Sequence, residues 1–103
     1  MTLEALREIL ESTGIPVAYR AWPEDAAPPL PYICYIAAYS NNFAADGVVY
    51  HKISHIQVEL YTEKKELLCE AKVENALASF FWEKEEIYLD DEKCYEILYE
   101  IEV

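Results

Sequence analysis

Apolar side chains occupy every second position at the end of the chain, and glutamates fill most of the positions between them. The apolar series is Tyr95, Ile97, Tyr99, Ile101 and Val103, and it alternates with Glu96, Glu100 and Glu102. A period of two with one acidic side is typical of an antiparallel strand that buries a single face. Residues 82–89 predict the partner strand, and the polar residues 90–93 predict the turn between the two strands.

Two segments show helical spacing instead. Residues 3–13 predict a first helix, which Thr2 caps and which Gly14 ends by adopting a left-handed conformation. Residues 63–81 predict a second helix, with Thr62 as its cap and an apolar stripe that includes Cys69, Val73 and Leu77. Three of its glutamates recur at intervals of four, namely Glu66, Glu70 and Glu74. They predict either a solvated acidic ridge or a ridge that meets a basic partner.

The remaining strands are predicted over 17–22, 32–39 and 48–62. The last of these exceeds the usual strand length, so we expect a bend at 51–54. A proline-rich crossing at 23–31 and a turn-rich loop at 40–47 connect the strands. The order α-β-β-β-α-β-β predicts an α+β fold: one domain over 1–103, with a largely antiparallel sheet of about five strands and two helices on one face.

Charge excludes several functions. Twenty acidic residues face eight basic ones, for a net charge of −12, and thirteen of the acids lie in residues 63–103. Because nucleic-acid affinity comes mainly from lysine and arginine on phosphates, we expect no specific nucleic-acid binding, and no association with an anionic membrane. No apolar run approaches a membrane span, and the acidic N-terminal helix does not resemble a signal peptide. The acidity fits a soluble surface, a lumen through which DNA slides, or a mimic of DNA.

Motifs for catalysis or cofactor binding are not found. The two glycines, Gly14 and Gly47, cannot form a phosphate-binding loop. His51 and His55 lie on a predicted strand, where four residues separate side chains by about 13 Å, too far for one metal ion. The cysteines, Cys34, Cys69 and Cys94, form no CxxC motif and are expected to be reduced. We therefore expect a protein without enzymatic activity, metal or cofactor.

Aromatic content favours a self-associating subunit over the alternative, a monomer with an aromatic-rich core. Nine tyrosines, two tryptophans and three phenylalanines are more than a core of this size readily hides. The segment 32–39 is apolar on both faces, so it is expected to be central or covered by a helix or another subunit. The predicted subunit interface comprises Trp22, Tyr32, Tyr35, Tyr39 and Phe43. The predicted projecting loop presents Asn41, Asn42, Phe43, Asp46 and Gly47.

Five stretches carry a resemblance to a family: 14–19 (GIPVAY), 28–33 (PPLPYI), 42–47 (NFAADG), 56–65 (IQVELYTEKK) and 95–103 (YEILYEIEV). Through them nearly the whole chain resembles the small tail proteins of siphophages and prophages of Gram-positive bacteria, of the minor tail, tail completion or tail-terminator type. The resemblance implies a virion protein of the head–tail junction, assembled in the bacterial cytoplasm. It also implies a ring, often hexameric, that caps the tail tube and contacts tail-tube and head-connector proteins.

Other functions remain open on the sequence. A small acidic protein can inhibit a nuclease by mimicking DNA, as anti-restriction proteins do, which requires carboxylates in two phosphate-like rows. It can also mask a basic partner as an immunity or regulatory protein. A ring favours the tail hypothesis, whereas a monomer or dimer that competes with DNA favours mimicry.

Overall fold

A computed structural model describes residues 1–23, 25–45 and 47–103, except for the side chains of 43–45 and 49–51. The elements are helices α1 (Leu3–Glu11) and α2 (Leu67–Ala76) and strands β1 (Val17–Tyr19), β2 (Tyr32–Ser40), β3 (Phe43–Ala45), β4 (Val48–His51), β5 (Ser54–Thr62), β6 (Glu83–Leu89) and β7 (Cys94–Glu102). The main sheet has five strands in the order β1-β2-β5-β7-β6, and β3 and β4 form a separate two-stranded sheet.

The predicted α+β class, the five-stranded sheet and the order of elements in that sheet are confirmed. The sheet is mixed, however, because β1 pairs with β2 in parallel while the other pairs are antiparallel. The crossing at 20–31 carries the chain back to the starting end of β1, which a tight hairpin could not do. Strand β1 also ends earlier than predicted, because Arg20 takes a positive φ of 67°.

Helix α1 begins where the sequence predicts. Thr2 is the N-cap, and its Oγ1 accepts a 3.0 Å hydrogen bond from the amide of Ala5. The helix itself ends at Glu11, two residues before the predicted end. Gly14 follows with a φ of +80°, the left-handed conformation that glycine adopts without strain.

Helix α2 is much shorter than predicted, and its predicted cap is wrong. Thr62 stays in β5, where it pairs with Tyr95, so it cannot cap a helix. The helix starts at Leu67, and Leu77 leaves helical geometry with φ −92° and ψ 12°. The chain must turn there in order to enter the edge strand β6 at Glu83.

The core lies between the two helices and one face of the sheet. Leu6 and Leu10 of α1 and Val73 of α2 are fully buried against this face. The sheet contributes Ile33, Tyr35, Ile56, Val58, Leu60, Ile97, Tyr99 and Ile101. These positions alternate along each strand, so the period-two pattern of the last strand and of 56–60 is confirmed.

The segment that connects β2 to β5 is a hairpin. The loop predicted over 40–47 contains strand β3, which pairs antiparallel with β4. Polar turns and short strands have similar sequences, so the sequence predicts a loop where the structure has strand β3. The expected bend near 51–54 is confirmed, because Lys52 and Ile53 interrupt the path from β4 to β5. The molecule measures 48 × 27 × 23 Å.

Candidate interaction surfaces

The strand register places a second set of side chains on the sheet face away from the helices, here called the open face. Tyr32 and Tyr61 lie opposite each other, with Glu96 beyond Tyr61 on β7. In the next row Glu59 lies opposite Leu98, which in turn lies opposite Glu85. These rows mix apolar and acidic side chains, as expected for a face that is neither a core nor a fully solvated surface.

Acidic side chains dominate the open face. Strands β5, β6 and β7 contribute six glutamates to it, namely Glu59, Glu83, Glu85, Glu96, Glu100 and Glu102. The register places no lysine or arginine of the main sheet on this side, and Lys84 of β6 points toward α2 instead. Ile36, Ile87 and Leu98 are half-buried between the acids. The open face is therefore an apolar patch within a strongly negative surround.

Glu59 and Glu96 lie near the middle of this face. They are diagonal neighbours across the β5–β7 pair, and the hydroxyl of Tyr61 donates a 2.8 Å hydrogen bond to Oε2 of Glu59. Burial, together with a hydrogen bond to Glu59 and the negative charge of that residue, raises the pKa of Glu96 to about 7. At neutral pH the carboxyl of Glu96 is therefore partly protonated, and the register places no lysine or arginine of the sheet beside it.

His55 lies at one end of the open face. Its ring stacks on Tyr39 at 4.4 Å between centroids, and its Nε2 lies 3.2 Å from Oε1 of Glu100. Gln57 donates a 3.3 Å hydrogen bond to the same oxygen. The bonds from His55 and then Gln57 lower the pKa of Glu100. His55 is held by its own neighbours, as for a structural histidine, and the side chain of His51 lies outside the described residues.

At the other end of the open face, Trp22 and described residues of the proline-rich crossing lie against Tyr32. Trp22 packs edge-on against Tyr32, with ring centroids 5.9 Å apart, and a shallow cavity there is also lined by Cys34 and Tyr61. Burial is the main cause that raises the pKa of the Cys34 thiol to about 11. Burial also raises the pKa values of Cys69 and Cys94. The three thiols are therefore protonated and poor nucleophiles at neutral pH.

A different surface is formed by the exposed side of α2. All five exposed residues of this helix share one side, and they are Leu67, Leu68, Ala71, Lys72 and Asn75, here called the outer face of α2. Leu67 is 68% exposed and Leu68 is 81% exposed. None of these five residues is acidic, whereas the exposed side of α1 carries Glu4, Glu8 and Glu11. Phe81, just beyond α2, is 83% exposed.

The predicted acidic ridge of α2 is not a solvated ridge. Glu70 is 2% exposed and lies between two lysines, 2.7 Å from Nζ of Lys65 and 3.1 Å from Nζ of Lys84. Burial would raise the pKa of Glu70, but the two lysines outweigh it and lower the pKa. Glu74 is 2.7 Å from Nζ of Lys84, and Glu66 accepts a 3.3 Å hydrogen bond from the thiol of Cys69. The cations that meet Glu70 and Glu74 belong to the same chain.

The structure separates the residues of the predicted interface. Tyr35 is 3% exposed and belongs to the core, so it cannot contact another subunit while the chain is folded. Trp22 and Tyr32 are half-buried against each other, and Tyr39 is 57% exposed. The side chain of Phe43 lies outside the described residues. Leu68 is not among the predicted interface residues, because the helix predicted over 63–81 has apolar residues on more than one side and does not define which side faces water.

In the predicted projecting loop, Asn41 and Asn42 are anchored rather than free. Asn41 Nδ2 donates a 3.1 Å hydrogen bond to Oε2 of Glu102, and the amide of Ile53 donates one to Oδ1 of Asn42. Gly47 takes a φ of +75° in the turn between β3 and β4. Asp46 lies outside the described residues. The two asparagines fix the base of the β3–β4 hairpin on the main sheet.

The part of the chain that the structure describes contains no cluster of three or more histidine, cysteine or acidic side chains able to hold a metal ion. Within the same residues, neither helix has the length and apolar character needed to cross a bilayer. Comparison with protein-family models, with curated proteins and with solved structures finds no match. The candidate site thus consists of two surfaces, the acidic open face and the outer face of α2.

Proposed function

We propose that this chain is a structural subunit of a phage or prophage virion, of the tail-terminator or tail-completion type. It associates with its own copies in a ring at the head–tail junction, where it caps the tail tube and contacts the head connector. It has no catalytic role and no cofactor, and it is assembled into the virion in the bacterial cytoplasm. The proposal joins the resemblance of the sequence to such tail proteins with the surfaces of the fold.

One observation supports it most strongly. Leu67 and Leu68 are adjacent, large, apolar and more than two thirds exposed, on a helix that buries its opposite side in the core. Burying one leucine side chain contributes about 1.5–3 kcal/mol, so leaving two in water is unfavourable unless another surface covers them. In a ring, that surface belongs to a neighbouring subunit.

The acidity is compatible with the same role. Tail DNA must pass the junction without binding, and the net charge of −12 repels phosphate. The open face concentrates six glutamates on one side of the sheet. Such a surface does not retain DNA during its passage.

The test is electron microscopy of tails assembled from a tail gene module that encodes this chain. We expect tails made without the chain to lack a defined end and to remain unjoined to heads. The wild-type chain restores joining, whereas Leu67→Ser/Leu68→Ser does not. Glu8→Ser on the exposed side of α1 is the control and restores joining. Normal joining without the chain would contradict the proposal.

The open face favours one second candidate, an inhibitor that presents carboxylates to a basic nuclease. Its glutamates stand on three neighbouring strands, but Leu98 and Ile87 interrupt the rows that mimicry of DNA requires. This candidate predicts a stable monomer or dimer that competes with duplex DNA for a basic nuclease such as a restriction endonuclease. Absence of competition at a large excess of the chain would exclude it.

A further inference from the structure

We infer that the outer face of α2 of one copy docks on the open face of the next copy. This inference rests on the proposed function, because it names the contact by which the subunits of the ring associate. It commits to a second copy of the chain as the occupant of both surfaces.

The helix side of the contact is apolar with a positive charge. Leu67 and Leu68 supply the apolar area, and Lys72 supplies the cation. The chain has twenty acidic residues, yet the five exposed residues of this helix include a lysine and no acid. The exposed side of α1 has three glutamates and does not share this character.

The sheet side has the complementary composition. Leu98 is half-buried in the middle of the open face, with Glu59 opposite it on β5 and Glu85 opposite it on β6. The register places no lysine or arginine of the main sheet on this side, and Arg20 lines the cavity at the Tyr32 end rather than the centre at Leu98. A cation from another copy would therefore complement the centre of the open face. Complementary charge around an apolar centre fixes which surfaces meet and in which orientation.

The position of the two surfaces determines the type of assembly. The outer face of α2 and the open face lie on opposite sides of the same two-layer fold, because the helices cover the other side of the sheet. A contact between them is therefore head-to-tail, and repeated head-to-tail contacts close into a ring or extend as a filament. A two-fold contact between open faces would instead bring six glutamates of each copy together.

The carboxyl pair of the open face also favours a cationic occupant. Glu59 and Glu96 are half-buried neighbours without a cation beside them on the sheet. Burial and the neighbouring carboxylates Glu59, Glu92 and Glu85 raise the pKa of Glu96 to about 7. A lysine from another copy would stabilise the ionised form of Glu96, and the contact would then release a proton. Association should accordingly strengthen as the pH rises through about 7, where Glu96 ionises.

The experiment is a charge exchange between the two surfaces. Lys72→Glu, Glu85→Lys and the double variant are compared with the wild-type chain, and the double variant keeps the net charge of −12. Glu8→Lys on α1 is the matched control for Glu85→Lys. Self-association is measured by light scattering over a concentration series, and incorporation into tails is measured by electron microscopy.

We expect each single exchange on the contact to weaken association about five- to tenfold, and the double variant to recover most of that loss. The control variant Glu8→Lys should change association less than either Lys72→Glu or Glu85→Lys. Suppose the wild-type chain assembles but the double variant recovers no association, or Glu8→Lys weakens association as much as Glu85→Lys. The inferred contact would then be wrong, and the proposed ring would not be contradicted. If the wild-type chain neither associates nor enters tails, the proposed function is wrong as well.

Discussion

The hydroxyl of Tyr99, a fully buried residue of β7, donates a 2.8 Å hydrogen bond to Oε2 of Glu74 on α2. The same oxygen lies 2.7 Å from Nζ of Lys84 on β6. Trp82 packs edge-on against the Tyr99 ring, with centroids 5.7 Å apart. One carboxylate thus joins the helix to both strands of the C-terminal hairpin, and this linkage holds α2 with its leucines outward.

Removal of the Tyr99 hydroxyl should destabilise the fold without leaving a cavity. We expect Tyr99→Phe to lower the free energy of unfolding by about 1–2 kcal/mol, because a buried hydrogen bond to a charged group is lost. Urea denaturation followed by tryptophan fluorescence measures the effect. Tyr88→Phe, at a tyrosine that is 49% exposed on β6, is the control and should change stability by less than about 0.5 kcal/mol. Equal effects of the two variants would contradict the role of the hydroxyl.

Glu70 is expected to be the most sensitive acid of α2. Glu70→Gln keeps the shape of the side chain but removes the charge that Lys65 and Lys84 neutralise. We expect it to lower the free energy of unfolding by about 1–3 kcal/mol. The loss stays below that for a fully buried pair because the lysine side chains are 44% and 39% exposed. Glu63→Gln, at an exposed acid before the helix, serves as the control in the same urea measurement. A smaller loss for Glu70→Gln than for Glu63→Gln would contradict this view of the cluster.

The stability of the monomer should depend on pH through Glu96. Its pKa rises from 4.5 to about 7 on folding, so the folded state binds more protons than the unfolded state between these values. The contribution of Glu96 to the free energy of unfolding is therefore fully present below pH 4.5 and is lost as the pH rises through about 7. The Glu96→Gln variant should lose less stability as the pH rises, and it should be more stable than the wild-type chain at pH 8.

Urea denaturation at a series of pH values, at low protein concentration, measures the slope of the free energy of unfolding against pH. Asp90→Asn in the turn before β7 is the control, and it should leave the slope as in the wild-type chain. Glu59→Gln should act in the same direction as Glu96→Gln, since the charge and hydrogen bond of Glu59 contribute to the raised pKa. If Glu96→Gln kept the wild-type slope, the carboxyl pair would not control this part of the pH dependence.

The sequence predicts the fold where local patterns and tertiary structure agree. The alternation from Tyr95 to Val103 depends only on which side of a strand is buried, and strand β7 follows it. The cap at Thr2 and the left-handed Gly14 are determined within one helical turn, and both are confirmed. For these features the chemistry that determines the structure lies within a few neighbouring residues.

Features that depend on distant parts of the chain could not be predicted in this way. Thr62 has the chemistry of a helix cap, but its pairing with Tyr95 keeps it in β5, and α2 is shorter as a result. The acids of α2 are spaced like a solvated ridge, but Lys65 and Lys84 reach Glu70 from outside the helix. Tyr35 was expected at an interface because its strand is apolar on both sides, and the fold buries it in the core.

The central claim is that Leu67 and Leu68 are exposed in the monomer because a sister copy covers them. It is tested most directly by light scattering of the wild-type chain and of Leu67→Ser/Leu68→Ser over a concentration series. We predict that the wild-type mass rises with concentration above the 11.9 kDa of the monomer, while the variant stays at that mass. A wild-type chain that remains monomeric up to about 1 mM, where a contact of about 4 kcal/mol would still be detected, would contradict the claim.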